Sequence, residues 1–142
     1  MQEYINFFSD HAMLSIGWVA IAGLLLHSLI KDKLTGVTSI TAQQATIMIN
    51  KQDAIIVDLR SSDEYKRGHI VNAKNITLSQ IEKGNFAEIE NHKQTPIILV
   101  CESGARSASA ATKLVKAGFS QVNNLASGMS GWASANLPTT KK

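Results

Sequence analysis

Pro96-Ile97-Ile98-Leu99-Val100-Cys101-Glu102-Ser103-Gly104-Ala105-Arg106-Ser107 decides how this chain is read. Its first five residues form an apolar strand that runs straight into the only cysteine of the sequence. Ser107-Ala108-Ser109-Ala110-Ala111-Thr112-Lys113-Leu114-Val115 then favours helix. A thiol at the carboxyl end of a buried strand, in a tight loop entering a helix, is placed as an anion-cradling nucleophile. Backbone N–H groups of such a loop point inward, and the helix N-terminus adds partial positive charge. Both favour the thiolate, which is the reactive form. Gly104 suits a sharply turning backbone, Arg106 adds a charge that does not titrate away, and Ser107 can cap or begin the helix. A lone cysteine after an apolar strand is otherwise an inert core residue. The loop around Cys101 is what argues for a nucleophile.

Working outward, strands and helices alternate. Val37–Ile40 reads as a short strand, and Thr41 as the N-cap of a helix over Ala42–Asn50. Ala54–Leu59 reads as a strand buried on both faces. Ser62 opens a helical turn through Glu64 and Tyr65, and Asn75–Thr77 reads as a strand. Leu78–Lys83 and Phe86–His92 have helical spacing. After the central strand Ile97–Val100 come a helix over Ala105–Ala117 closed by Gly118, a strand over Gln121–Leu125 and a helix over Met129–Ala135. The order predicts an α/β fold with a parallel sheet and helices on both faces. Ligands of such sheets bind beyond the carboxyl ends of the strands, where Cys101 falls.

Cys101 to Ser107 resembles the active-site loop of single-domain rhodaneses, C-x-x-G-x-R-[ST]. Ile55-Ile56-Val57-Asp58-Leu59-Arg60 is similar to that family's strand ending in D-x-R. Glu64-Tyr65-Lys66-Arg67-Gly68-His69-Ile70, with Ala73, Asn75 and Ile76, resembles its E-[YF]-x-x-G-H-I-x-x-A-x-N-I segment. Gly118-Phe119, Val122, Leu125 and Gly128-Met129-Ser130-Gly131-Trp132 resemble its closing block, with Met129 standing where a second glycine is usual. The likeness runs from Val37 to Pro138 in the family's order. It implies a rhodanese-like fold and sulfur transfer without a cofactor. Cys101 is the expected nucleophile, attacking a small-molecule or protein sulfur donor and passing the sulfur to a thiol acceptor. Glu102, Ser103, Gly104, Ala105, Arg106 and Ser107 are the expected substrate cradle. Asp58, Arg60 and His69 are expected as structural support, and Trp132 as a packing anchor.

Two neighbouring readings bear on the chemistry. Related cell-cycle phosphatases and arsenate reductases separate cysteine from arginine by five residues, whereas only Glu102, Ser103, Gly104 and Ala105 intervene here. The smaller ring suits one sulfur better than a tetrahedral oxyanion. A rhodanese fold could also serve as an interaction module with a silent loop. Glu102, beside the thiol, is expected to repel a dianionic donor such as thiosulfate and to oppose thiolate formation. His11, His27, His69 and His92 lack metal-ligand spacing, so no metal site is expected.

Ala12–Ile30 contains no Asp, Glu, Lys or Arg. Nineteen helical residues span about 28 Å, close to the roughly 30 Å of a hydrocarbon core. No basic segment precedes the run and no small-x-small site follows it, so a cleaved signal peptide fits poorly. The expected plan is a short extracytoplasmic tail over 1–11, one transmembrane helix over 12–30, a linker over 31–36, a rhodanese-like domain over 37–138 and a tail over 139–142. All 14 Lys and Arg residues follow the apolar run. By the positive-inside rule this predicts an inner-membrane, single-pass protein with its N-terminus outside and its domain in the cytoplasm. A reducing cytoplasm also suits an unpaired thiol. A membrane-protein partner is compatible with that address.

Length beyond residue 36 is enough for one domain. Formal net charge is +3 for the whole chain. Without Glu3 and Asp10, 9 acidic residues face 14 basic ones, a balance of +5 from Lys31 onward. That is mildly basic, and no cluster resembles a nucleic-acid patch. Lys66-Arg67 and Lys141-Lys142 read as solvated surface.

Overall fold

The computed structural model describes residue 1, residues 11–34 and residues 36–141, with side chains described for all of these except 29 and 31–34. The chain divides into two units, Met1–Leu34 and Thr35–Lys142. In the first, α1 (Ala12–Leu34) is one 23-residue helix. It continues four residues past the expected end at Ile30, so most of the expected 31–36 linker is helical. Met13, Trp18, Val19, Leu24 and Leu25 are exposed. The expectation of a transmembrane helix is not supported: among the described residues, no helix is long and apolar enough to cross a membrane. Most of the expected tail over 1–11 lies outside the described residues.

The second unit alternates strand and helix. Its elements are β1 (Val37–Ile40), α2 (Ala42–Gln52), β2 (Ile55–Asp58), α3 (Ser62–Arg67), β3 (His69–Ile70), β4 (Lys74–Asn75), α4 (Leu78–Glu82), β5 (Ile97–Val100), α5 (Ala105–Lys116), β6 (Val122–Leu125), α6 (Gly128–Ser134) and β7 (Thr139–Thr140). Five strands form a parallel sheet in the order β1-β6-β5-β2-β4. This is the α/β architecture that the element order predicts, with β5 in the middle. Alternation along β5 explains its burial. Ile97 and Leu99 face a core with Ala110, Ala111 and Leu114 of α5 and Ile81 of α4. Ile98 and Val100 face the other core, with Ala45 of α2 and Met129 and Trp132 of α6. Successive strand side chains point to opposite faces, so a strand covered on both sides must be apolar throughout.

Local chemistry sets the helix starts. Thr41 and Ser61 each close a capping box, with Gln44 and Glu64 respectively. Each box satisfies backbone N–H groups that the first turn leaves without partners. The Ser61 hydroxyl and backbone N–H, donating to its carboxylate, hold Glu64 below the usual carboxylate range.

Three expectations are corrected. Phe86–His92 is not an α-helix; it holds only a 3₁₀ turn over Glu90–His92. The strand expected over Asn75–Thr77 is β4, Lys74–Asn75, because Thr77 instead caps α4 in a box with Gln80. The expected tail at 139–142 includes β7, which pairs antiparallel with β3: His69 opposes Thr140 and Ile70 opposes Thr139.

Candidate active site

Cys101 follows β5 at the carboxyl edge of the sheet and is 1% exposed. Gly104 donates its backbone N–H to Sγ at 3.0 Å. The Ser107 Oγ lies 3.3 Å from Sγ. Burial alone pushes the thiol up. The Ser107 hydroxyl and the N–H groups of Ser107, Gly104 and Ser103 outweigh it and hold Cys101 below its ordinary range. The loop therefore favours thiolate through the Ser107 hydroxyl and its backbone donors.

The loop can close this tightly because of two glycines. Gly104 has φ +91°, and a Cβ there would lie 2.1 Å from the Ala126 carbonyl oxygen. Gly128 has φ +53°, and its Cβ would lie 2.3 Å from the Cys101 carbonyl oxygen. With no Cβ at 128, the first turn of α6 reaches the loop: Met129 N–H donates to the Cys101 carbonyl at 2.9 Å and Ser130 N–H to the Glu102 carbonyl at 3.1 Å. These bonds fix the loop carbonyls outward from the thiol, leaving its N–H groups inward.

The charged loop residues behave differently from expectation. Arg106 is exposed and forms no hydrogen bond or ion pair among the described residues. Its charge acts on Glu64, and it is not among the causes that lower Cys101. Glu102 also turns away from the thiol. Its Oε2 lies 3.4 Å from Arg60 Nη1, and its Oε1 accepts from Ser130 Oγ at 3.3 Å. It is not among the causes acting on Cys101 either. The side chain is 52% exposed. Ser103 and Ala105 are exposed, and Gly104 is buried.

Arg60 ties the neighbouring loops together. Its Nη2 contacts Asp58 Oδ2 at 2.8 Å and donates to the Gly68 carbonyl at 2.7 Å. Its Nε also donates to Asp58. Asp58 and Arg60 are 1% and 6% exposed, so the pair is desolvated and held by several bonds. Asp58 further accepts the Arg60 backbone N–H. His69 stacks on Tyr65 with ring centroids 3.6 Å apart, and its Nδ1 lies 2.8 Å from the Tyr65 carbonyl oxygen. The Tyr65 hydroxyl donates to the Ala73 carbonyl. An open pocket of about 400 Å³ beside the loop is lined by Arg60, Glu64, Arg67, Gly68 and Glu102. Among the described residues, no cluster of three or more His, Cys, Asp or Glu could hold a metal ion.

Asn124 is the residue that sequence reasoning missed. It sits on β6 opposite Leu99 of β5, is 7% exposed, and its Oδ1 accepts from the Ser107 hydroxyl. The signal was present: Asn123-Asn124 puts two consecutive amides in a strand otherwise built to be buried on both faces.

Residues 41–135 match the rhodanese-like domain family. The chain is 42% identical over 141 residues to YibN, an uncharacterised protein of Escherichia coli K12, with 99% of each chain covered. It is 32% identical over 97 residues to the thiosulfate sulfurtransferase GlpE of Coxiella burnetii, covering 68% of this chain and 87% of that one. Its fold is also that of a rhodanese-related protein of Thermoplasma volcanium, with a TM-score of 0.62, 26% identity, and 74% of this chain and 99% of that one covered.

Proposed function

The chain belongs to the rhodanese-like domain family, and on that premise we propose that it is a sulfurtransferase working through a persulfide on Cys101. The observation that carries the proposal is the Gly104 N–H aimed at Sγ from 3.0 Å in a loop that lowers the thiol. The Cys101 thiolate attacks the terminal sulfane sulfur of a donor ⁻S–X, where X is the sulfonate of thiosulfate or the thiol sulfur of a persulfide. A new S–S bond forms, the S–X bond breaks, and X leaves with the bonding electron pair; for thiosulfate the leaving group is sulfite. The product is Cys101–S–S⁻. A thiolate acceptor or cyanide then attacks the outer sulfur, the S–S bond breaks, and Cys101 leaves as thiolate, restoring the enzyme. This is nucleophilic catalysis in two steps. The inward N–H groups of the loop meet the charge that moves onto the outer sulfur.

The opening beside the loop has two arginines and two glutamates on its walls, so it offers no uniform attraction to a dianion. A thiol carrying both charges, or a protein persulfide, is the donor or acceptor class that fits such walls best. The proposed location is the inner membrane, with α1 as the anchor and the domain on the cytoplasmic side. The support is the uncharged Ala12–Ile30 stretch, the absence of any Lys or Arg before it, and the exposed apolar side chains of α1. Apolar side chains exposed along an uncharged helical stretch favour an apolar environment.

The activity is tested by thiocyanate formation from thiosulfate and cyanide, with the wild-type protein and Cys101→Ser. Activity from the wild type alone, with identical far-ultraviolet circular dichroism, is the expected result; equal activity from both overturns the mechanism. The location is tested by alkaline carbonate extraction of cell membranes, and release of the full chain overturns it.

A further inference from the structure

The Ser107 hydroxyl sits among three acceptors. Cys101 Sγ is 3.3 Å away, the Gly104 carbonyl oxygen 3.1 Å away, and Asn124 Oδ1 closer than either. Ser107 is fully buried, so water does not settle the competition. A hydroxyl carries one proton. While Cys101 is a thiol, its S–H can donate to Ser107 Oγ, and Ser107 donates to Asn124. Once Cys101 ionises, Sγ accepts only. Ser107 must then turn its proton to Sγ to serve the charge, and that leaves Oγ facing the Asn124 carbonyl oxygen with no proton between them. Two acceptors cannot stay at that separation.

Rotating the Asn124 amide by half a turn removes the conflict. It presents Nδ2–H to Ser107 Oγ, completing a chain from Asn124 through Ser107 to Sγ. The terminal torsion of asparagine is broad and roughly two-fold, so the turn-over meets no rotamer penalty. Nδ2 gives up nothing, because it donates to no other group among the described residues. Oδ1 also has somewhere to go: the described residues contain no sealed side-chain nitrogen or oxygen lacking a partner, so the Nδ2 position reaches solvent.

We propose that Asn124 is a positioning residue whose side-chain amide reverses with the charge on Cys101 and acts on it through the Ser107 hydroxyl. The proposal rests on the persulfide reading of Cys101 and deepens it. Sγ is charged in the free enzyme and neutral in the persulfide, where the charge sits on the outer sulfur. Asn124 therefore reverses twice in each turnover, turning the Ser107 O–H toward Sγ while Sγ is charged and away from it in the persulfide, with the proton remaining on Ser107. Among the described residues, no charged side chain is one of the largest influences on the thiol. Glu102 and Arg106 of the loop turn outward, Asp58 of β2 is paired with Arg60, and none of them is among the causes that lower the thiol.

The test is the pH midpoint of the ultraviolet thiolate absorbance of the full-length protein, measured for Asn124→Asp alone and in a Ser107→Ala background. An aspartate keeps an acceptor against Ser107 and, ionised, never donates. The midpoint should rise by about one pH unit or more in the wild-type background, the scale of one hydrogen bond to a charged sulfur. The rise should be clearly smaller with Ser107→Ala, where only the added charge is felt. Equal rises in both backgrounds overturn the proposal. Should Asn124→Asp fail to fold, the side-chain amide resonances of Asn124 in the wild-type protein decide. They should move with the Cys101 titration and stop moving in Ser107→Ala; resonances that ignore the titration, or follow it equally without Ser107, overturn the proposal. Neither readout needs sulfur transfer. Coupling in a protein that makes no thiocyanate would overturn the sulfurtransferase reading alone.

Discussion

Replacing Gly104 by alanine should damage stability and thiol chemistry together. Gly104 holds φ +91°, a conformation that an L-residue adopts only under strain, and the added Cβ would meet the Ala126 carbonyl oxygen at 2.1 Å. That neighbour is backbone at the end of β6, so it cannot swing aside as a flexible side chain would. Left-handed backbone costs about 1–2 kcal/mol, and forcing an extra carbon into a packed site costs about 1–3 kcal/mol. The sum, about 2–5 kcal/mol, is a large share of a domain stability of about 5–15 kcal/mol. With a slope of about 2 kcal/mol per molar urea, the unfolding midpoint should fall by about 1–2.5 M. Any relief of the overlap moves the Gly104 N–H away from Sγ, where it now donates at 3.0 Å. Losing one hydrogen bond to a charged group, about 1.5–3 kcal/mol, raises the thiol midpoint by about 1–2 pH units. Urea unfolding by circular dichroism and pH titration of the thiolate band measure the two effects. An alanine variant with an unchanged urea midpoint and an unchanged thiol titration would refute both the strain argument and the role given to this N–H.

Other outcomes follow from the same geometry. Arg60→Met leaves Asp58 buried without its partner and should cost about 3–5 kcal/mol in urea unfolding, whereas Arg60→Met with Asp58→Leu should regain most of it; equal losses would show that the pair itself is not the cause. Glu102→Gln should raise kcat/KM for thiosulfate by only about 1.5- to 5-fold at low salt, since the carboxylate is half-exposed and already faces Arg60, and the gain should shrink as salt rises; a lower value would give Glu102 a positive role. The depressed Cys101 binds its proton less readily folded than unfolded. Between its lowered folded value and the ordinary thiol value of about 8.5, the wild-type protein should therefore gain stability as pH rises, and lose that gain as pH falls through the folded value. Cys101→Ser should lack this component when the two stability profiles are subtracted; superimposable profiles would contradict the lowered thiol.

Much of the fold was legible because its signals are local. A four-residue strand buried on both faces must be apolar throughout, and Ile97–Val100 is; Thr41 announces a helix start three residues before its box partner Gln44. The loop was legible for the same reason, since Gly104 is required by a backbone angle. What the sequence did not carry depends on contacts between distant segments. β7 is two threonines that become a strand only by meeting His69 and Ile70. Phe86–His92 has helical spacing but tightens into a single 3₁₀ turn. Glu102 looked like a threat to the thiolate because it is next in sequence. Arg60, 42 residues away, lies at the carboxylate, which turns away from the thiol. Arg106 looked like the loop's charge, yet in this structure the Ser107 hydroxyl and then the loop's backbone N–H groups lower the thiol. Two adjacent amides in a buried strand mark Asn124 as unusual, but they do not name its partner Ser107, which is 17 residues distant.

The central claim is that Cys101 carries sulfur. Intact-mass spectrometry of the purified protein after brief exposure to thiosulfate tests it most directly. The account predicts a mass gain of one sulfur atom, located to Cys101 by peptide mapping, removed by cyanide with release of thiocyanate and absent from Cys101→Ser. A wild-type protein that gains no sulfur from thiosulfate or from a low-molecular-weight persulfide, while folded and with its thiol free, would contradict it.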